Sequence, residues 1–573
     1  MRRGRHAPPP PTAAASGPAG TVTGMERRPL LSPGVAEPLR EPPEAPAPAR
    51  GPRAVVGTHP LVWLPALMVA GAMLLPAVYL VIAAAELPLA RIVAIVTDGA
   101  TLRLAGRTLL LAGSVTGASL LLGVPIAWLT TRTDLPARRF FAVATALPLV
   151  IPTYVGAFTL VGALAPGGLI ESWIGWRPPS PYGFGGAFIA LTLFTFPYVL
   201  LTVQAALRGL DPSLEDASRS LGRGPAATFF RVTLPQLRPA AAAGGLLVTL
   251  YVLSDFGAVS ILRYSTFTRA LYLQYRTAFD RAPAALLGLM LVVLTVIFVV
   301  AEARVAKDRG GQFGLRGPGR PPPRVPLGRW RVPAAMLTST VVLLGLVIPV
   351  TVIAYWLVRG VAAGEAVDVA LGAAGRSLLV AALGAVAAVL AALPVAIWSA
   401  RSRSRVARLA ERASFTGYAL PGIVVALALV FIGIRVATPL YQTLAMLIFA
   451  YVVLFVPQAI GAIRASLLQV QGNVEAAART LGSARLAVLR RITLPLARRG
   501  ALAGGALVFL TVLKELPATL LLAPTGFDTL AVRVWSATEE AFFTRAAIPA
   551  MLLIVLGSVP LAVAMVRERR EVG

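Results

Sequence analysis

Two stretches of the chain repeat one another at a fixed interval. Leu214-Glu-Asp-Ala-Ser-Arg-Ser-Leu-Gly222 leads to Thr233-Leu-Pro235, and Val474-Glu-Ala-Ala-Ala-Arg-Thr-Leu-Gly482 leads to Thr493-Leu-Pro495. Glu475, Gly482 and Pro495 each lie 260 residues after Glu215, Gly222 and Pro235. Each copy is a polar, arginine-bearing segment set between long apolar runs. A chain built this way is a duplicated membrane half with one short helical hairpin per half, facing the cytoplasm.

Composition fixes the class. With 57% hydrophobic residues, 14% charged residues and a mean hydropathy of +0.76, no soluble surface can be assembled, so most of the chain sits in lipid. The net charge of +28 does not mark a nucleic-acid binder, because the arginines fall in short loops between apolar runs rather than on one amphipathic face. Cysteine is absent, and the only histidines, His6 and His59, precede the first apolar run, so thiolate and histidine metal sites in the membrane are excluded. Residues 1–60, rich in Pro, Ala and Arg and without a signal-peptide core, are expected to be a disordered cytoplasmic tail.

A membrane span needs about 20 apolar residues. Six candidates precede a central linker: Val62 to Ala85, Thr108 to Leu129, Phe141 to Leu164, Ala187 to Leu207, Ala240 to Leu262 and Ala284 to Val300. Six follow it: Ala334 to Val358, Ser377 to Ala400, Phe415 to Ile434, Leu440 to Ile463, Ala501 to Leu522 and Ala546 to Val566. The prolines inside them, among them Pro125, Pro148, Pro197, Pro394, Pro421 and Pro457, are tolerated where neighbouring helices re-satisfy the freed carbonyls. The expected fold is all-α, with about twelve transmembrane helices in two parallel six-helix halves, residues 61–303 and 334–567. A cytoplasmic linker, 304–333, joins them, and a short cytoplasmic tail, 568–573, ends the chain. Parallel repeats of this kind place a pathway at the interface between the halves.

Arginine sets the orientation, since cytoplasmic loops hold the positive charge. Arg132, Arg138 and Arg139, both repeated loops, Arg304 to Arg331, Arg401 to Arg412 and Arg567 to Arg570 fall on one side, which puts both termini in the cytoplasm. The loop with Arg263, Arg269, Arg276 and Arg281 falls on the other side and is an exception.

Within each repeat a Glu stands four residues before an Arg, Glu215 with Arg219 and Glu475 with Arg479, the favourable order for a helical ion pair. Gly222 and Gly482 then permit a turn, and a second amphipathic stretch leads to Leu-Pro at the membrane. These residues resemble the cytoplasmic motif of permease subunits of binding-protein-dependent ABC importers, commonly written as Glu-Ala-Ala, a glycine, then Ile-x-Leu-Pro. Gly482 with Ile492-Thr-Leu-Pro495 fits it closely, and Gly222 with Val232-Thr-Leu-Pro235 fits with one conservative change. The acidic position directly before the small pair departs from it: it is Asp216 before Ala217 in the first copy and Ala476 before Ala477 in the second. The resemblance implies type I importer halves whose repeated loops, Glu215, Asp216, Ala217, Arg219 and Gly222 and then Glu475, Ala476, Ala477, Arg479 and Gly482, are coupling helices docked on a homodimeric ATPase. An ordinary amphipathic loop helix is the plain alternative, and two copies with the same glycine and Leu-Pro spacing argue against it.

The chain holds no ATPase. A phosphate-binding loop needs Gly-Lys-Ser/Thr, and the only lysines, Lys307 and Lys514, precede Asp and Glu, so ATP and magnesium belong to a partner. No residue is expected to be catalytic. Ser254-Asp-Phe-Gly-Ala-Val-Ser260 and Lys514-Glu-Leu-Pro-Ala-Thr519 resemble segments of the fused permeases of the ferric iron type. That likeness implies iron as cargo, a periplasmic or lipid-anchored binding protein as donor, and the bacterial inner membrane as location. Thiamine, polyamine and sulfate permeases share the loop. A secondary transporter of the major facilitator kind also has two parallel halves, but its basic loop is expected between the second and third spans, whereas here the motif lies between the fourth and fifth.

Asp255 follows Gly222 by 33 residues and Glu515 follows Gly482 by the same number, so both halves place a carboxylate at equivalent depth. Ionisable groups there are functional candidates. Either they line the pathway and meet a cation, or they pair with arginines or Lys514 to fix packing.

Overall fold

In the computed structural model, residues 59–211, 213–277, 282–307, 324–365, 367–402, 404–469 and 473–572 are described. The expected N-terminal tail, except for its last two residues, and positions 308–323 of the expected linker lie outside them. Among the described residues the chain is helical, with one isolated parallel bridge between Thr133 and Val325. Ten helical segments are long and apolar enough to cross a membrane, and two shorter apolar helices, Gly422–Arg435 and Phe543–Ser558, take the remaining positions.

Four expected spans are not continuous helices, and each break has a local cause. Between Phe141 and Leu164 the chain forms a helix Arg138–Ala144, a tight turn Leu147–Val150 and a helix Thr153–Leu164 that starts after Pro152. Between Phe415 and Ile434 a turn at Thr416–Tyr418 precedes Gly422–Arg435, which starts after Pro421. Proline has no N–H to continue a helix and forces the residue before it out of the helical region, as Ile151 shows with ψ 119°. The other two breaks fall at Asp255 and Glu515, where Leu234–Ser254 gives way to Gly257–Ile261 and Leu494–Leu513 to Pro517–Leu522. At the end of the chain, helix Phe543–Val572 runs on through the expected tail.

Each half has the same three-helix centre. Gly99–Arg132, Phe184–Gly209 and Leu234–Ser254 pack together in the first, and Val367–Arg401, Leu444–Gln469 and Leu494–Leu513 in the second. Glycine sets the close approach at matched places. A Cβ on Gly244 would come within 2.8 Å of the Val199 Cα, and one on Gly504 within 2.9 Å of the Ala459 Cα, residues again 260 apart. Small residues at such crossings let helices pack without a hydrophobic drive from lipid.

The first helix of each half lies against the other half. Pro60–Ala85 packs on Val367–Arg401 and on Arg405–Ser414. Helix Ile348–Ala362 packs on Thr153–Leu164, with Trp356 Nε1 donating to the Gly162 carbonyl at 3.2 Å. Leu64, Met68, Val78 and Ile82 remain exposed on the first helix, as a lipid-facing surface requires. Ion pairs also bridge the halves: Arg435 with Glu86 at 2.6 Å and Arg276 with Glu539 at 3.3 Å.

The halves are not related by one interval throughout. Pro125 and Pro394, Arg132 and Arg401, and Pro152 and Pro421 are each 269 residues apart, while from Phe184 and Leu444 onward the interval is 260. The extra nine residues enter between Leu164 and Phe184, where the short helix Leu169–Ile174 sits in the first half alone.

Candidate functional site

The two polar repeats fold into the same device residue for residue. In the first, helix Ser213–Ser220 turns at Gly222 into a short helix Pro225–Thr228, a π turn Phe229–Thr233 and then Leu234–Ser254. In the second, Asn473–Thr480, Gly482, Arg485–Val488, a π turn Leu489–Thr493 and Leu494–Leu513 follow at the same spacing. The π turns sit directly before Pro235 and Pro495, where a helix must absorb a missing N–H and the bulk of the ring.

The glycines close the first helix by a Schellman motif. Gly222 has φ +78° and Gly482 φ +83°. The N–H of Arg223 reaches the Ser218 carbonyl at 3.2 Å, and that of Ser483 reaches Ala478 at 3.0 Å. Nothing crowds either glycine, so the left-handed backbone alone demands it. The turn leaves Leu221 78% and Leu481 86% exposed at the tips of the two hairpins. With Leu214 and Val474, also exposed, they form an apolar knob that water would not select.

Glu215 and Glu475 point the other way. They are buried, 6% and 4% exposed, and anchor the hairpins to the membrane helices. Glu215 Oε1 accepts from the Thr233 hydroxyl at 3.0 Å and lies 3.9 Å from Arg132 Nη2, which itself donates to the Leu207 carbonyl at 2.8 Å. Glu475 Oε1 accepts from Thr493 at 3.0 Å and from Arg401 Nε at 3.0 Å. The expected helical pairs are formed unequally. Arg219 lies 3.8 Å from Glu215 Oε2, whereas Arg479 makes no ion pair with Glu475 among the described residues. The cause is the direction of the carboxylate, which is turned inward onto Arg401. Of the positions expected at the docking surface, Asp216, Ala217 and Ala477 are exposed, Arg219 and Arg479 half-buried, and the two glutamates covered; the backbone of Ala476 lies on the same helix as Ala477.

The membrane carboxylates Asp255 and Glu515 share a role that the residue types did not reveal. Asp255 Oδ1 accepts the N–H groups of Ala258 and Val259 at 3.0 and 3.2 Å, and its Oδ2 accepts from the Thr153 hydroxyl at 2.6 Å. Glu515 Oε1 and Oε2 accept from Ala518 at 3.0 and 3.1 Å, and Oε2 also from Thr519 N at 3.1 Å. Each carboxylate therefore caps the start of the half-helix that follows the break, where a negative group satisfies orphan donors and meets the positive end of the helix dipole. Among the described residues neither pairs with an arginine, and Lys514 turns away to donate to the Leu149 carbonyl at 3.0 Å. The breaks also meet across the interface between halves, since a Cβ on Gly257 would lie 3.1 Å from Leu516.

Arg132 and Arg401 were counted in the sequence as cytoplasmic charge, not as anchors. Their signal is the 269-residue interval, which a search at 260 passes over. The exposed Leu221 and Leu481 could have been found as leucines directly preceding a turn glycine in both copies.

The family model described as binding-protein-dependent transport system inner membrane component matches residues 119–309 and again 392–570, once in each half. Over 491 residues the chain is 35% identical to the Fe(3+)-transport system permease protein FbpB 2 of Haemophilus influenzae, a match that covers 85% of this chain and 94% of that protein. Shorter similarities reach the molybdenum transport system permease protein ModB of Escherichia coli, 31% identical over 34% of this chain and 90% of that one. The sulfate transport system permease protein CysT of Synechococcus elongatus is 30% identical over 39% of this chain and 84% of its own length.

Proposed function

Since the chain belongs to the family of binding-protein-dependent transport system inner membrane components, we propose that it carries ferric iron into the cytoplasm as the permease of an ABC importer. A periplasmic or lipid-anchored protein delivers the cargo to the outer face. A homodimeric ATPase, a separate chain that binds ATP and magnesium, drives the cycle from below. Both termini face the cytoplasm, together with the two hairpins.

One observation carries the reading: two identical hairpins each present an exposed leucine at the tip while a buried glutamate clamps the base to transmembrane helices. A rigid lever with an apolar end is what a subunit needs to convert closure of a docked partner into helix movement. The match over most of the chain to an Fe(3+) permease favours iron as cargo, and the molybdenum and sulfate permeases, each matching over about a third, supply the anion alternative. Asp216, Ala217, Arg219 and Gly222 with Ala476, Ala477, Arg479 and Gly482 form the docking contacts, and Asp255 and Glu515 hold the broken helices beside the pathway.

The test is ATP-dependent uptake of radioactive iron into vesicles that hold the chain with its ATPase and binding protein. Leu221→Asp with Leu481→Asp is expected to abolish uptake while the permease remains folded. Uptake that persists without the ATPase would overturn the importer assignment, and competition by molybdate or sulfate but not by ferric iron would overturn the cargo.

A further inference from the structure

The outer end of the first half holds a basic pocket that transport of a cation does not use. Arg103 and Arg107 on helix Gly99–Arg132 and Arg269 on helix Phe267–Thr277 line it, with Thr101 and Gln274 beside them. It measures about 410 Å³, and among the described residues no carboxylate lies in its wall. Among the described residues Arg269 Nη1 is held by neutral acceptors, the Arg263 carbonyl at 3.3 Å and Ser265 Oγ at 3.4 Å. Burial and the neighbouring Arg263 charge both push the Arg269 guanidinium below its ordinary value, the signature of a cation short of a counter-charge. This is the loop that broke the rule of positive charge inside.

Depth identifies what such a pocket meets. Arg107 precedes Arg132 by 25 residues on one helix, about 37 Å along its axis at 1.5 Å per residue. Arg132 marks the cytoplasmic edge, and the hydrocarbon core is about 30 Å thick, so Arg107 lies in the outer headgroup layer. The preceding helix Leu89–Thr97 gives a second marker: it buries no side chain, and Leu89 and Val93 are exposed on it, as in a helix lying in the interface plane. Leu104, Leu273 and Leu287 give the pocket an apolar lining, and Leu110, seven residues on from Arg103 along the same helix face, is exposed.

We propose that this pocket binds the phosphate headgroup of an anionic phospholipid of the outer leaflet, with an acyl chain along Leu110. Three guanidiniums suit a phosphate, by bidentate hydrogen bonding as well as charge. The apolar lining and the headgroup depth favour a lipid over free phosphate. The bound lipid neutralises this basic patch and ties helix Gly99–Arg132, whose far end anchors the first hairpin, to helix Phe267–Thr277.

The test is native mass spectrometry of the assembled importer in detergent, titrated separately with phosphatidylglycerol, phosphatidylcholine and inorganic phosphate. Phosphatidylglycerol is expected to remain bound where phosphatidylcholine is stripped. Arg103→Gln with Arg107→Gln should weaken its retention about 10- to 30-fold, the effect of removing two cations from an anionic headgroup. Arg103→Lys with Arg107→Lys keeps the charge but not the bidentate fork and should retain more of the binding than the glutamine pair, which separates loss of the site from loss of the fold. Equal retention of both lipids, or unchanged phosphatidylglycerol in the glutamine variant, overturns the proposal. So does occupation by inorganic phosphate with no preference for the lipid, which would make it a free-anion site. Loss of binding-protein affinity with lipid retention unchanged would make it a protein-docking face and equally overturn it.

Discussion

The two hairpins share a backbone and differ in how they are clamped. In the second, Glu475 and Arg401 meet in one direct charge-assisted bond at 3.0 Å, with both side chains 5% exposed. In the first, Glu215 is surrounded by two cations at hydrogen-bond range of neither: Arg132 at 3.9 Å and Arg219 at 3.8 Å. Arg132 spends its close contact on the Leu207 carbonyl instead. The loop that follows Arg132 also receives the end of the linker, since Val325 bonds to the Arg132 carbonyl and Leu327 N–H to Asp134 Oδ1. A duplicated lever has thus kept its shape while its charges were redistributed. One copy depends on a single strong contact, and the other on several weaker ones.

The largest expected difference follows from removing the anchor arginines. Arg401→Leu leaves a buried Glu475 without its cation, a loss of about 3–5 kcal/mol for a broken buried pair. Arg132→Leu leaves Glu215 with Arg219 and the Thr233 hydroxyl, and is expected to cost about 1–3 kcal/mol. Thermal unfolding in detergent, together with limited proteolysis at each hairpin, measures both. The Arg401 variant should melt lower and be cut first at residues 473–482. Equal shifts would show that the longer distances in the first copy carry as much energy as the direct bond, and the comparison would fail.

An intermediate effect comes from the turns. Gly222→Ala and Gly482→Ala each place a Cβ in the left-handed region, at about 1–2 kcal/mol. The two φ angles nearly match and neither site is crowded, so the folding penalties should be equal. Any difference between the two variants in ATP-driven uptake then measures docking rather than folding. If the hairpins dock as proposed, the exposed Asp216, against Ala at position 476, makes the two contacts unequal, and uptake is expected to fall to different extents. Equal loss would remove the asymmetry of docking while keeping the asymmetry of anchoring.

Much of this was legible in the sequence, and the parts that were not share a cause. The hairpins, their glycines and the paired carboxylates all fall after the insertion at Leu169–Ile174, where one interval relates the halves. Arg132, Pro125 and Pro152 fall before it, 269 residues from Arg401, Pro394 and Pro421, so the interval that relates the hairpins does not relate them. Direction was the other hidden quantity. A Glu four residues before an Arg predicts a surface pair, but helix Asn473–Thr480 places Glu475 on the inner face, where Arg401 at 3.0 Å outcompetes the local Arg479. Asp255 and Glu515 stood out as charges in apolar runs. That they cap half-helices depends on a chain break at that residue, and no proline precedes Asp255 to announce one.

The smallest effect is the most discriminating, because it should run in the opposite sense. Thr233 and Thr493 each donate to the anchor glutamate at 3.0 Å. In the second copy Thr493→Val leaves the Arg401 bond in place, so the carboxylate stays satisfied on Oε1. In the first copy Thr233→Val removes the one contact to Glu215, among the described residues, that is short enough to be a hydrogen bond, and the cations beyond 3.5 Å replace it poorly. Thr233→Val is therefore expected to destabilise its hairpin more than Thr493→Val does, by about 1 kcal/mol, although the arginine variants rank the copies the other way. Double-mutant cycles of each threonine with its arginine check this, since coupled groups depart from additivity. A reversal of rank between the threonine and arginine series supports one direct clamp and one distributed clamp. The same rank in both series would mean that the second hairpin is simply held more tightly throughout.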